Sequence, residues 1–206
     1  MDESILTFTE ALASAAPAPG GGGAAALMGA LAASLGAMAS RLSAGRKGDA
    51  ERSARLNGDA ESCEALRLRF LEQIAADEAA FLPLAAAYKL PKDEPERAET
   101  LRAASLGACG AALEMLRLCG KTAALLAALR RDTNPLLLSD VGCAAAACRA
   151  ALLCAALNVY VNTKPYPADP EAVGLNALTE SMLREHLPVL EDLELQILMD
   201  LRNEET

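Results

Sequence analysis

The segment PAPGGGGAAALMGALAASLGAMASRL, over residues 17–42, constrains the fold more than any other part of the chain. Met28, Leu31, Leu35, Met38 and Leu42 recur at spacings of three and four, which is the period of one face of an α-helix. Ala25, Gly29, Ala33 and Ala37 form a second ridge of small residues on the same helix. A helix with two such stripes can be packed on two sides, one of them at close backbone distance. The bias extends to all 206 residues: Trp is absent, Tyr and Phe number three each, and the 52% hydrophobic fraction is filled mainly by alanine and leucine. The β-branched and aromatic residues that favour sheets are scarce, so an all-α protein is expected.

The length suits one domain spanning residues 1–206, large enough to bury a core without disulfides or metals. With 19 Lys and Arg against 28 Asp and Glu, the net charge of −9 leaves no basic face for duplex nucleic acid. The six cysteines include no C-x-x-C pair, and the N-terminus is acidic where a secretory leader would be basic. We expect a cytoplasmic protein whose thiols stay reduced and serve as small apolar packing residues. Residues 24–40 carry no charge, but they fall short of the roughly 20 residues of a spanning helix, so a buried helix is expected there and no membrane partner.

The breaks between elements are legible. Ser4 caps a short first helix over 4–14, with Ile5, Phe8 and Leu12 at helical spacing, and the chain then meets Ala-Pro-Ala-Pro and four glycines. The long helix behind the glycines stops at Ala44-Gly45-Arg46-Lys47-Gly48, and a third helix runs over 49–88 to the break KLPKDEPE. One further helix is expected over 95–131, ending at DTNP. Another starts near Asn134-Pro135 or Ser139 and runs to Asn162; after KPYPADP the last covers 171–202. The expectation is a bundle of about six long helices, with no strand pattern and no internal repeat.

Asp77 is the most informative candidate for chemistry. Cys63, Leu66, Phe70, Ile74, Asp77, Phe81, Leu84 and Tyr88 advance in steps of three or four, which puts a carboxylate on an apolar stripe. Burial there favours the neutral acid and prepares a general acid or base. A second reading of the same spacing has the stripe drift, or Pro83 bend the helix, leaving Asp77 at the edge in water. Gly20, Gly21, Gly22 and Gly23 form a loop before a helix N-terminus, where bare N–H groups and the dipole favour ligand oxygens, or else a flexible connector. Lacking the P-loop Lys and a preceding strand, they do not suggest a nucleotide site.

Asn158 and Asn162 lie four apart and face one way, toward partners if buried or toward water at an exposed helix end. Asp140 shares a helix face with Asn158 but stands about 27 Å away at 1.5 Å per residue, so one small ligand in one subunit could hardly meet both. His186, the only histidine, sits among charged residues and reads as a surface side chain. No metal site is expected.

These residues resemble one known family. PGGGGAAALMGALAASLGAM over 19–38, the D-x-x-x-F and KLPK of 77–92, the N-x-x-x-x-S-D of 134–140 and NVYVN of 158–162 are similar, in order, to the formiminotetrahydrofolate cyclodeaminase/methenyltetrahydrofolate cyclohydrolase family. The resemblance implies a homodimeric helical bundle with folate sites between helices near the subunit interface. A site shared by two chains would resolve the distance between Asp140 and Asn158. Such enzymes close 5-formiminotetrahydrofolate to 5,10-methenyltetrahydrofolate with loss of ammonia, or interconvert the methenyl and 10-formyl forms with water. The resemblance puts the catalytic aspartate at Asp77 and a tetrahydrofolate derivative as substrate, with no bound cofactor. It gives the glycines the pterin or its formyl oxygen; Asn134, Asp140, Asn158 and Asn162 the positioning of substrate or the opposite wall; and Arg46 and Lys47 the glutamate tail. The chain departs from relatives at Gly23, where Ser is common, and at Gly48-Asp49, where an aromatic is common. A bundle that kept the fold but only dimerises or binds another protein is the alternative function.

Overall fold

Side chains placed at the expected breaks set the helix ends. Ser4 Oγ accepts the Thr7 N–H at 3.1 Å, Asp49 accepts the Arg52 N–H at 2.9 Å, and Asp169 accepts the N–H groups of Glu171 and Ala172 at 2.9 and 3.1 Å. The computed structural model describes residues 4–44 and 49–202. Its elements are α1 (Ile5–Leu12), α2 (Gly21–Ala44), α3 (Ala50–Tyr88), α4 (Arg97–Gly107), α5 (Cys109–Asp132), a 3-10 turn (Pro135–Leu137), α6 (Leu138–Thr163) and α7 (Pro170–Arg202). Among the described residues there is no strand, as the composition implied.

The single helix expected over 95–131 is instead two, α4 and α5, interrupted at Ala108. Ala108 keeps right-handed helical angles (φ −65°, ψ −15°), so the interruption is local. Gly107 and Gly110 flank it, and their low helix propensity weakens the turn. If this interrupted pair is taken as one helix, the described residues hold six helices and the 3-10 turn.

α2 packs against α3, α5 and α6, and α5 against α3, α6 and α7, so α2 and α5 supply much of the core. The ridge of small residues on α2 is buried, while Leu31, Met38 and Leu42 of the larger stripe are 48%, 36% and 56% exposed. Of the two sides expected to pack, the small-residue ridge is the one fully enclosed within the chain, while of the large stripe only Met28 and Leu35 pack against the core. The reason is space: the neighbours approach α2 so closely that its fully buried positions hold only Gly, Ala and Ser. A Cβ added at Gly29 would lie 2.4 Å from the Phe70 ring, and one at Gly36 would lie 3.1 Å from Cys63 Sγ. Seven residues along α2 thus match seven residues back along α3, an antiparallel register that pairs Gly22 with Asp77, Gly29 with Phe70 and Gly36 with Cys63.

Four cysteines are buried and Cys154 is half-buried, in keeping with a packing role, but Cys143 is exposed on the outer face of α6. His186 departs from the surface expectation as well: it is only 20% exposed and lies over Gly120, where a Cβ would come within 2.3 Å of its Nε2. In α1 only Phe8 of the three spaced apolar residues is buried. Two segments, α2 and Pro135–Thr163, are long and apolar enough to cross a membrane by length and composition alone. In the fold they pack on each other, and their most apolar windows are 61% and 44% buried.

Candidate functional site

The antiparallel register of α2 and α3 decides where Asp77 falls: opposite the first turn of α2. Gly20 C=O accepts the Ala24 N–H at 3.0 Å, so Gly21, Gly22 and Gly23 already belong to the helix. The expected glycine loop is therefore corrected to a glycine first turn preceded by Gly20. The glycines are needed there because the Asp77 carboxylate occupies the space of a side chain. A Cβ at Gly22 would sit 2.0 Å from Asp77 Oδ1.

Asp77 is half-buried and accepts a hydrogen bond from the Gly23 N–H. Burial raises its pKa above the ordinary carboxylate value, and the Gly23 N–H pulls it only partly back. The stripe reading of α3 holds around it: Cys63, Leu66, Phe70, Ile74 and Leu84 are buried and Phe81 is half-buried, while Tyr88 lies exposed at the helix end. The first-turn N–H groups of Gly21 and Gly22 have no acceptor within their own helix by position.

Asp77 opens onto a cavity of about 190 Å³. Its walls are Pro17, Ala18 and Gly20–Gly22 before and within α2, then Asp77, Glu78 and Phe81 of α3, Ala108 at the α4–α5 interruption, and Asn158, Val161 and Asn162 of α6. Asn158 approaches the α2 glycines closely, with Nδ2 at 3.4 Å from a Cβ built at Gly21. Of the residues that the sequence singled out, Asp77, Gly20, Gly21, Gly22, Asn158 and Asn162 thus meet in one place. Gly23 stands behind them through its bond to Asp77.

Asn134 and Asp140 do not reach this cavity. The Asn134 N–H donates to Ser43 Oγ at 2.9 Å near the far end of α2, and its side chain caps the 3-10 turn by accepting the Leu136 N–H at 3.2 Å. Gly22 and Ser43 are 21 residues apart, or about 32 Å at 1.5 Å per residue, so the two groups occupy opposite ends of the bundle. Asp140 is half-buried in the first turn of α6. Arg46 and Lys47 lie outside the described residues.

Glu78, Val161 and Ala108 line the cavity without having been singled out. Glu78 follows Asp77 directly, but only the tertiary structure shows that it shares the cavity. Ala108 carries no sequence signal at all, because its place depends on the interruption between α4 and α5. Among the described residues no cluster of His, Cys, Asp and Glu could hold a metal ion.

Fold and site together define an all-helical protein whose cavity centres on a carboxylate seated against a glycine-built helix N-terminus. The family model described as Formiminotransferase-cyclodeaminase matches residues 4–174, and the chain belongs to that family. A methenyltetrahydrofolate cyclohydrolase of Methylorubrum extorquens is 40% identical over 167 residues, covering 79% of this chain and 80% of that protein. The crystal structure of a formiminotetrahydrofolate cyclodeaminase from Thermotoga maritima matches with a TM-score of 0.83 at 24% identity, over 98% of this chain and 97% of the other. That likeness is one of fold. The resemblance drawn from the four motifs is borne out at the level of the family.

Proposed function

We propose that this chain is a folate one-carbon enzyme that hydrates 5,10-methenyltetrahydrofolate to 10-formyltetrahydrofolate, and catalyses the reverse. The observation that carries the reading is Asp77: a half-buried carboxylate with a raised pKa, fixed by the Gly23 N–H and open to the cavity. A carboxylate whose pKa is raised by burial is a stronger base than one in water, and once protonated it can return the proton to a departing nitrogen. Water adds to the amidinium carbon between N5 and N10 while Asp77 accepts one of its protons, giving a tetrahedral carbon bearing a hydroxyl. The carbon–N5 bond then breaks, Asp77 returns the proton to N5, and the hydroxyl proton leaves to solvent as the formyl group forms on N10. The Asp77 carboxylate also offsets the positive charge of the amidinium. Gly20–Gly23 hold the ring by backbone approach, and Asn158 and Asn162 position it.

The 40% identical relative named as a cyclohydrolase favours the hydrolytic reading. Ring closure of 5-formiminotetrahydrofolate is the second reading, favoured by the fold likeness to the Thermotoga maritima protein. It passes through the same kind of tetrahedral carbon, with Asp77 protonating the departing ammonia.

We propose further that the protein works as a homodimer through α2 and α6. Both helices expose apolar residues on the side away from the core: Leu31, Met38 and Leu42 on α2, and Leu157 and Val161 on α6. A two-fold axis across this face pairs one end of the bundle with the opposite end of its copy. Such a pairing supplies Asn134 and Asp140 of the partner subunit to the mouth of each cavity, which accounts for the distance between the two groups. Arg46 and Lys47, beside that end in sequence, would meet the glutamate tail.

The test is absorbance. Purified protein is given 5,10-methenyltetrahydrofolate, then 5-formiminotetrahydrofolate, with Asp77→Asn alongside. Loss of the methenyl chromophore, reduced about a hundredfold or more in Asp77→Asn, is the expected result. Formation of the chromophore from the formimino compound identifies the cyclodeaminase instead. No rate above solvent with either substrate overturns both readings and leaves a non-catalytic bundle.

A further inference from the structure

The side chains lining the Asp77 cavity include two carboxylates and two amides, and the donors facing them are the backbone N–H groups of the α2 first turn. Asn158 Nδ2 donates to Cys154 O at 2.8 Å, and Asn162 Nδ2 donates to Asn158 O at 3.0 Å. A backbone carbonyl can only accept, so in both residues the amide nitrogen is the atom turned back to the helix, which leaves Oδ1 free to accept from a ligand alongside the one remaining N–H of each amide. Opposite them, α3 presents two carboxylates from consecutive residues, Asp77 and Glu78. Successive residues are about 100° apart around a helix, so Glu78 stands beside Asp77 and not behind it.

Among the described residues no Lys, Arg or His lines the cavity and no cation pairs with Glu78. The two carboxylates are not equivalent. Asp77 is turned toward the first turn of α2 and bound by the Gly23 N–H, whereas Glu78 is exposed at the cavity wall and engaged by nothing. In the proposed reaction the addition of water to the amidinium carbon removes the cationic charge as Asp77 takes the proton, so a second carboxylate acts before that step, while the cation is being captured.

We infer that Glu78 is a specificity-determining residue: with the acceptor oxygens of Asn158 and Asn162, it makes the cavity select a cationic ring system over a neutral one. This rests on the folate reading above and names which charge state of the folate is favoured. The methenyl form carries the cationic amidinium; the 5-formyl form has the same skeleton with a neutral one-carbon group. Glu78 thus acts on capture of the cation and Asp77 on its conversion.

The test compares the parent, Glu78→Gln and Glu78→Lys, each first shown by thermal melting to be folded. KM and kcat are measured with 5,10-methenyltetrahydrofolate, and 5-formyltetrahydrofolate is titrated as a neutral competitor. The expected result is a KM about three- to fivefold higher in Glu78→Gln, as for a partly exposed charge pair, and about tenfold or more higher in Glu78→Lys. The change falls mainly on KM, the inhibition constant of the neutral competitor stays within the error of the parent's, and the KM difference narrows in about 0.5 M salt. Equal changes for cation and neutral ligand, or none for either, overturn the inference while leaving a parent that turns over intact as a folate enzyme. A parent with no turnover overturns the folate reading and this inference with it.

Discussion

Asp77 and Gly22 solve one spatial problem from two sides: the carboxylate reaches the first turn of α2 only because residue 22 has no side chain. A methyl group there forces Asp77 off the Gly23 N–H and out of the cavity. Gly22→Ala is therefore expected to lower turnover by about a hundredfold, the scale of a displaced acid or base. Its stability should change little, because Ala favours the helix and a short side chain can yield. Gly29→Ala, two turns along, drives a methyl into the buried Phe70 ring, which has nowhere to go, and is expected to lose about 1–3 kcal/mol of stability. Thermal melts and turnover measured on both variants separate the two effects. Asp77 also makes a pH prediction. Its folded pKa is raised, so the native state holds the proton more tightly than the unfolded chain does. The stabilisation this gives is fully present below the ordinary carboxylate value and is lost as pH rises through the folded one. Asp77→Asn, which keeps an acceptor for the Gly23 N–H, should melt above the parent at neutral pH, and the gap should close in acid.

The helices are fixed at their ends as much as along their faces. Ser43 Oγ, fully buried, takes the Asn134 N–H and so ties the end of α2 to the turn that leads into α6. Ser43→Ala strands that N–H, and a loss of about 1–3 kcal/mol is expected, read as a shift in the urea midpoint at unchanged slope. The caps Ser4 and Asp49 stand at positions legible in the sequence because a short polar side chain before an apolar period satisfies the first-turn N–H groups. The interruption at Ala108 was not legible. Gly107 and Gly110 weaken the helix there, but whether a weak turn breaks depends on the neighbours packed against it.

At the scale of the whole molecule, α2 carries two functions on one 24-residue helix: its small face builds the core and the site, and its large face looks outward. If the proposed dimer forms through this face, Leu31→Glu and Leu157→Glu are expected to convert it to a monomer in sedimentation experiments, since each puts an unpaired carboxylate into an apolar interface. If Asn134 and Asp140 of the partner subunit complete each cavity, turnover falls with the dimer, and a mixture of an Asp77→Asn chain with an Asp140→Asn chain recovers part of the activity. A monomer that keeps full turnover rejects the shared site.

The helical class and the stripe that carries Asp77 follow from the sequence itself, because period, capping and the scarcity of sheet-forming residues are local properties. So do the breaks marked by Pro, Gly and caps, though not the one at Ala108, and the clustering of candidate residues into a few short motifs. Which of the two faces of α2 goes inside was not local. It was decided by how close α3, α5 and α6 approach, a distance that only the antiparallel pairing of Gly22, Gly29 and Gly36 with Asp77, Phe70 and Cys63 makes visible. The same pairing put Asp77 at the α2 N-terminus, and the bond from the Asn134 N–H to Ser43 put Asn134 at the other end of the bundle, since where two elements meet depends on their register and no property of either alone sets it.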